Sequence, residues 1–252
     1  MLQSKKLSKK YQDKLILDDI TLEIPQAQVT AFIGANGAGK STLLGIMSRL
    51  ITKEDGEVLI DNQDVTKWKS RALAQKLAIL KQSNQVSARL TVEDLVAFGR
   101  FPYSKGRLTL EDQQKVTQAL EYMEITDLKT DYIDELSGGQ QQRVYIAMII
   151  AQDTEYVLLD EPLNNLDMKH AVQMMKILRR LVDDFGKTIV LVLHDINFAS
   201  AYADYMVGLK DGRIVAQGST AEMMTPEQLN IVYDMPLAIT EIDSCKYCLY
   251  FK

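Results

Sequence analysis

Residues 34–42 read Gly34-Ala35-Asn36-Gly37-Ala38-Gly39-Lys40-Ser41-Thr42, directly after the apolar run "VTAFI" and at the head of the helix-like run "STLLGIMSRL". Glycine, four residues, then Gly-Lys-Ser between a strand pattern and a helix pattern is the P-loop arrangement. No other stretch constrains the fold so tightly, because the loop works only on a strand–loop–helix unit of a sheet covered by helices. Its glycines let backbone N–H groups approach phosphate oxygens, Lys40 can reach the β and γ phosphates, and the Ser41 hydroxyl can ligate Mg²⁺.

The remaining chain alternates in the same way. "LDDITLEIPQAQVTAFIG", "GEVLIDNQDV", "KLAILKQ", "EYVLLDEP" and "KTIVLVLHD" have strand patterns, and "YMVGLKDGRIVAQG" has that of a hairpin turning at Asp211-Gly212. From residue 91 to 150 the pattern is helical throughout, as in "TVEDLVAFGR", "TLEDQQKVTQALEYMEI" and "GGQQQRVYIAMIIAQ". This predicts a helical arm, residues 87–155, inserted into a sheet core formed by residues 1–86 and 156–252, all in one unit. In "MKHAVQMMKILRRLVDDFG" the spacing of Val172, Met175, Leu178, Val182 and Phe185 predicts a core-facing stripe.

Composition removes several classes of protein. With 46% hydrophobic and 25% charged residues, the chain is neither collagen-like nor disordered. Its most apolar runs, "VYIAMIIA" and "TIVLVL", fall far short of the roughly 18 residues that span a bilayer. The basic N-terminus "MLQSKKLSKKYQDK" lacks the apolar segment of a secretory signal, so a cytoplasmic location is expected. A net charge of −5 argues against a large nucleic-acid footprint. The two cysteines form a C-x-x-C pair in "SCKYCLYF", but zinc needs further ligands and the histidines, His170 and His194, lie elsewhere. On a strand, a spacing of three puts Cys245 and Cys248 on opposite faces, so packing is their expected role.

Two further motifs complete the chemistry. "YVLLDE" carries Asp160 to the carboxyl end of an apolar strand, where open α/β sheets bind ligands, and Asp160 can there hold the shell of a Mg²⁺ ion. Glu161 follows with a second carboxylate that can polarise an attacking water. "LSGGQ", residues 136–140, opens a helix, and the free N–H groups and positive dipole end of a helix make an anion cradle. The chain therefore has two phosphate cradles nearly a hundred residues apart.

The ordered set "GANGAGKST", "LKQ", "LSGGQ", "VLLDEP", "NLD" and "LHD" resembles the nucleotide-binding subunit of ATP-binding cassette (ABC) transporters, and the likeness covers nearly the whole chain. The resemblance implies an α/β fold: a P-loop NTPase with a RecA-like core, an N-terminal antiparallel β region and an inserted helical subdomain. It implies ATP and Mg²⁺ as cofactors. It also explains the second cradle, since in that family two subunits face each other head to tail, so that Ser137, Gly138, Gly139 and Gln140 would close over the ATP on a second copy. Gln82 matches the glutamine that senses Mg²⁺ and the attacking water, His194 the switch histidine at the γ-phosphate, and Tyr11 the aromatic that stacks on adenine. Leu166-Asp167 matches the D-loop, although Asn165 stands where many members have Ser or His.

"TVEDLVAFGRFPYSKGR" and the stretch from "EPLNNLD" to "GRIVAQG" are similar to importer ATPases for iron-siderophore complexes, a group close to those for haem and vitamin B12, with import of haem, vitamin B12 or another metal chelate as the alternative. By that likeness Gly99-Arg100-Phe101-Pro102 falls where the ATPase meets a membrane permease, with a substrate-binding protein as an indirect partner. A peripheral place on the cytoplasmic face of the cell membrane follows. The alternative of an ABC ATPase acting on ribosomes or DNA expects two cassettes or a long coiled coil, and neither pattern is present.

Overall fold

The computed structural model describes residues 1–81, 88–164 and 166–250. The first part of the chain forms β1 (Leu2–Tyr11), β2 (Lys14–Ile24), β3 (Val29–Ile33), α1 (Lys40–Met47), β4 (Asp55–Ile60), β5 (Gln63–Asp64), α2 (Ser70–Lys76) and β6 (Leu77–Leu80). The arm follows as α3 (Val92–Phe98), α4 (Phe101–Ser104), α5 (Leu110–Tyr122) and α6 (Gly138–Gln152). The chain then returns to the sheet with β7 (Tyr156–Asp160), α7 (Met168–Phe185), β8 (Thr188–Val192), α8 (Ile196–Tyr202), β9 (Tyr205–Lys210) and β10 (Arg213–Ser219). Two short helices, α9 (Thr220–Met223) and α10 (Pro226–Tyr233), lead to a last hairpin of β11 (Ala238–Ile242) and β12 (Cys245–Leu249).

Among the described residues six strands form the central sheet in the order β10-β9-β3-β8-β7-β6, parallel except for the antiparallel β9–β10 hairpin. A separate antiparallel sheet, β2-β1-β4-β5, covers one face. The central strands alternate between two cores: Val29, Ala31 and Ile33 of β3 face the side of the arm and α7, while Phe32 faces α1 and the antiparallel sheet. In β7 and β8 the division repeats, with Val157, Leu159, Ile189 and Leu191 on one side and Leu158, Val190 and Val192 on the other. Burial on both faces is why these strands read as unbroken apolar runs.

Capping boxes set where the arm helices begin. Thr91 with Asp94, Thr109 with Asp112 and Ser137 with Gln140 each exchange side-chain and backbone hydrogen bonds across a first turn, satisfying donors that the helix leaves open. The short α4 is gripped from the sheet domain: Arg71 donates to the Pro102 carbonyl at 2.6 Å and the Tyr103 carbonyl at 2.8 Å, and Gln75 donates to Pro102 at 3.0 Å.

Two sequence expectations need correction. Arg100 was expected within a surface stretch, yet it is only 3% exposed. Its Nε meets Asp112 at 2.9 Å and its Nη1 donates to the Ala151 carbonyl at 2.9 Å, so it serves as an internal tie between α4, α5 and the end of α6. The exposed residues beside it are Phe98 and Phe101. In α7 the buried line runs through Ala171, Met174, Met175, Leu178, Leu181 and Val182. Val172 is half-buried, and Phe185, the last residue of α7, is 59% exposed with its ring edge-on to that of Tyr122. The free cysteines follow the strand geometry, with Cys248 buried and Cys245 half-buried.

Candidate nucleotide site

Parallel strands put like ends on one edge. The carboxyl ends of β3, β7 and β8 are neighbours, and the register that sets Asp160 against Val192 brings the residues after both strands together. Gly34 begins the loop after β3 with φ +136°, and a Cβ added there would lie 2.1 Å from the Leu209 carbonyl oxygen of β9. Only glycine fits, both for its backbone angle and for the neighbouring strand.

Lys40, 4% exposed, donates from Nζ to the carbonyls of Gly34 at 2.8 Å and Ala35 at 2.9 Å. Burial lowers its pKa from the ordinary value, against the pull of Glu161 and Asp160. Among the described residues no carboxylate pairs directly with it, so this buried cation is available to an anionic ligand. Ser41 Oγ donates to Asp160 Oδ1 at 2.8 Å. Burial raises the Asp160 pKa, opposed by the Ser41 hydrogen bond and reinforced by the adjacent Glu161. A hydroxyl beside a carboxylate that is costly to keep charged fits Mg²⁺, which takes oxygen ligands from one or two protein groups and completes its shell with phosphates and water.

Glu161 sits at the sharp exit from β7 with φ +51°. One carboxylate oxygen lies 2.6 Å from His194 Nε2, and the other accepts from the Asn164 side-chain amide. Thus Lys40, Ser41, Asp160, Glu161 and His194, scattered over more than 150 positions, converge on one edge of the sheet.

The other expected residues occupy different places. Ser137 is the N-cap of α6: its Oγ accepts from Gln140 N–H at 3.3 Å, and Gln140 Oε1 accepts from Ser137 N–H at 2.9 Å. Ser137 and Gly138 are exposed, so this helix start faces outward. No hydrogen bond or ion pair among the described residues joins it to residues 34–42 of the same chain. Asp167 caps α7, accepting from His170 N–H and meeting His170 Nδ1, both at 2.8 Å; these bonds lower its pKa. Tyr11, 49% exposed, ends β1 with Lys9 Nζ 5.2 Å from its ring centre. Gln82 and Asn165 lie outside the described residues. Sequence reading missed Asn164 and Tyr233, whose hydroxyl accepts from Gly34 N–H at 3.2 Å. No motif marks either residue, although Asn164 lies only three positions beyond Glu161.

Comparison with known proteins agrees with this geometry. The ABC transporter family model matches residues 17–164. The chain is 55% identical over 252 residues, 100% of both sequences, to the petrobactin import ATP-binding protein YclP of Bacillus subtilis (strain 168). It is 48% identical over 239 residues, 95% of this chain and 96% of the relative, to the petrobactin import ATP-binding protein FatE of Bacillus anthracis. The dimeric structure of MJ0796, a bacterial ABC transporter cassette, superposes with a TM-score of 0.79 at 30% identity, covering 87% of this chain and 99% of that one. With the loop, the strand-end carboxylates and the helical arm all in the expected order, this chain belongs to the ABC transporter family, whose ATP-binding cassettes bind and hydrolyse ATP.

Proposed function

We propose that the chain is the ATP-hydrolysing subunit of an importer for iron-siderophore complexes. The convergence of Lys40, Ser41, Asp160, Glu161 and His194 on one sheet edge carries the catalytic part of this reading. The cargo rests on whole-length identity to petrobactin import proteins, which makes ferric petrobactin the first complex to test.

In this reading the backbone of residues 34–42 cradles the phosphates and Lys40 offsets their charge. Ser41 and Asp160, with Gln82 by resemblance, would hold Mg²⁺, which when bound neutralises charge developing on the transferred phosphoryl group. Glu161 accepts a proton from the attacking water, a contribution typically of order 10²–10⁴ in rate. His194 and Asn164 grip its two carboxylate oxygens and so fix its direction. Tyr11 offers a ring face to adenine.

The outward-facing start of α6 supplies what a single site lacks. Ser137, Gly138, Gly139 and Gln140 of one copy cover the γ-phosphate on the other, with Asp167 near the shared boundary, so that ATP itself joins the two copies. The dimeric cassette of similar fold supports such an arrangement. Among the described residues no helix is long and apolar enough to cross a membrane, so transport requires separate permease subunits, with this chain bound peripherally to them.

Deleting the gene in its own cells and supplying ferric petrobactin as the sole iron source tests the cargo. Growth should fail and should return with the wild-type chain but not with Glu161→Gln. Normal growth on petrobactin and other ferric siderophores, together with lost uptake of haem or vitamin B12, would overturn the assignment in favour of that neighbouring cargo class.

A further inference from the structure

Tyr233 is the last residue of α10, 199 positions from Gly34, yet its hydroxyl accepts the Gly34 N–H at 3.2 Å. On the other side of the same residue the Gly34 carbonyl accepts from Lys40 Nζ at 2.8 Å. Gly34 has no side chain of its own to anchor it, and a glycine backbone samples many conformations unless something outside the loop holds it. The phenol provides that hold from a distant part of the chain.

The reach of Tyr233 is built into the sheet. Gly208 of β9 faces α10 so closely that an added Cβ would stand 2.4 Å from Val232 Cγ2. Without a side chain at 208, α10 settles against the strand, Val232 is buried, and the next residue meets the start of the loop. Burial pushes the Tyr233 pKa up to about 12, so the phenol stays neutral and protonated at physiological pH. A phenylalanine would fill the same space. It could not accept the Gly34 N–H.

We infer that Tyr233 is a positioning residue for nucleotide binding, its hydroxyl orienting Gly34 so that the Gly34 carbonyl and Lys40 are set before phosphate arrives. The inference rests on the reading of residues 34–42 as the nucleotide cradle. It assigns to the C-terminal part of the chain a direct role at a site otherwise made from the ends of the central strands.

The test measures Mg²⁺-ADP affinity of the purified full chain by titration calorimetry, with melting temperature in parallel, for four proteins. Tyr233→Phe should weaken ADP binding about two- to tenfold, the range spanned by loss of one neutral hydrogen bond, and should lower the melting temperature by no more than Val232→Ala does. Val232→Ala, which loosens the seat of α10 without touching Gly34, should lower the melting temperature and leave affinity within about twofold. Lys40→Ala should lose most binding. If Lys40→Ala binds ADP normally, the cradle reading itself fails. If Lys40→Ala loses binding while Tyr233→Phe matches wild type, or if affinity follows melting temperature in both α10 variants, the positioning role is overturned and the cradle reading stands. Amide hydrogen exchange on the wild-type chain gives an answer that needs no variant: the Gly34 N–H should be protected without nucleotide, and free exchange there would overturn the contact.

Discussion

Asp160 carries a negative charge where burial makes that charge costly. Desolvation raises its pKa, and the Ser41 hydrogen bond and the attractions of Lys40 and His194 do not fully offset it. For a carboxyl whose pKa is raised by folding, the charged form opposes stability at every pH above the folded value. The penalty is absent below the ordinary value of 3.8, where folded and unfolded chains are both protonated. Asp160→Asn keeps the size of the side chain and its acceptor for Ser41. It should raise the melting temperature of the nucleotide-free, metal-free chain by a few degrees at neutral pH, and the gain should shrink as pH falls toward 3.8, while Mg²⁺-dependent nucleotide binding is lost. Thermal melts across pH check this, and an unchanged or lowered melting temperature at neutral pH would show that the charge is not stored at a cost. The identity of Asp160 was legible from "VLLDE"; its cost depends on what surrounds it.

The arm joins a rigid interior to an exposed tip. Arg100 and Asp112 are 3% and 5% exposed along their side chains, and breaking a buried ion pair by changing one partner costs on the order of 3–5 kcal/mol. Arg100→Glu would set two carboxylates against each other, so it should lower the melting temperature sharply and reduce both basal ATPase activity and transport. Phe101, 58% exposed at the start of α4, is the better probe of docking. Phe101→Ala should leave melting temperature and basal ATPase activity of the isolated chain nearly unchanged while transport in cells falls severalfold. Normal uptake in that variant would remove Phe101 from the permease contact, and a wild-type melting temperature for Arg100→Glu would deny the buried pair its structural role. The inward turn of Arg100 was not legible in the "GRFPY" stretch, because a guanidinium reaching a carboxylate twelve positions away leaves no periodic trace.

For the whole molecule, two copies are expected to share two ATP molecules. Glu161→Gln keeps the shape of the side chain but removes the proposed base, so ATP should remain bound and the pair should stay closed. Testing the second cradle requires a change that spares α6, because Ser137 caps that helix and losing a cap costs about 1 kcal/mol. Ser137→Asp retains a capping oxygen while placing a negative charge against the neighbour's γ-phosphate. With ATP and Mg²⁺, Glu161→Gln should elute from size-exclusion chromatography as a dimer, and the double variant as a monomer that still binds ATP. A double variant that remains dimeric would mean that the start of α6 does not cover the other copy's nucleotide.

By itself the sequence determined the loop, the strand-end acids, the signature helix and the alternation that makes an α/β sheet, because each depends on backbone geometry within a few neighbouring residues. The parallel topology could be read as a class for the same reason, since strands buried on both faces must be apolar along their length. Only the tertiary structure decided that Arg100 turns inward, that the buried line of α7 leaves out Val172 and Phe185, and that Tyr233 holds Gly34. These outcomes depend on which surfaces meet after the strands take the order β10-β9-β3-β8-β7-β6. Local periodicity identifies an apolar face, but the distance to a partner far along the chain is set by packing, which no short stretch of sequence contains.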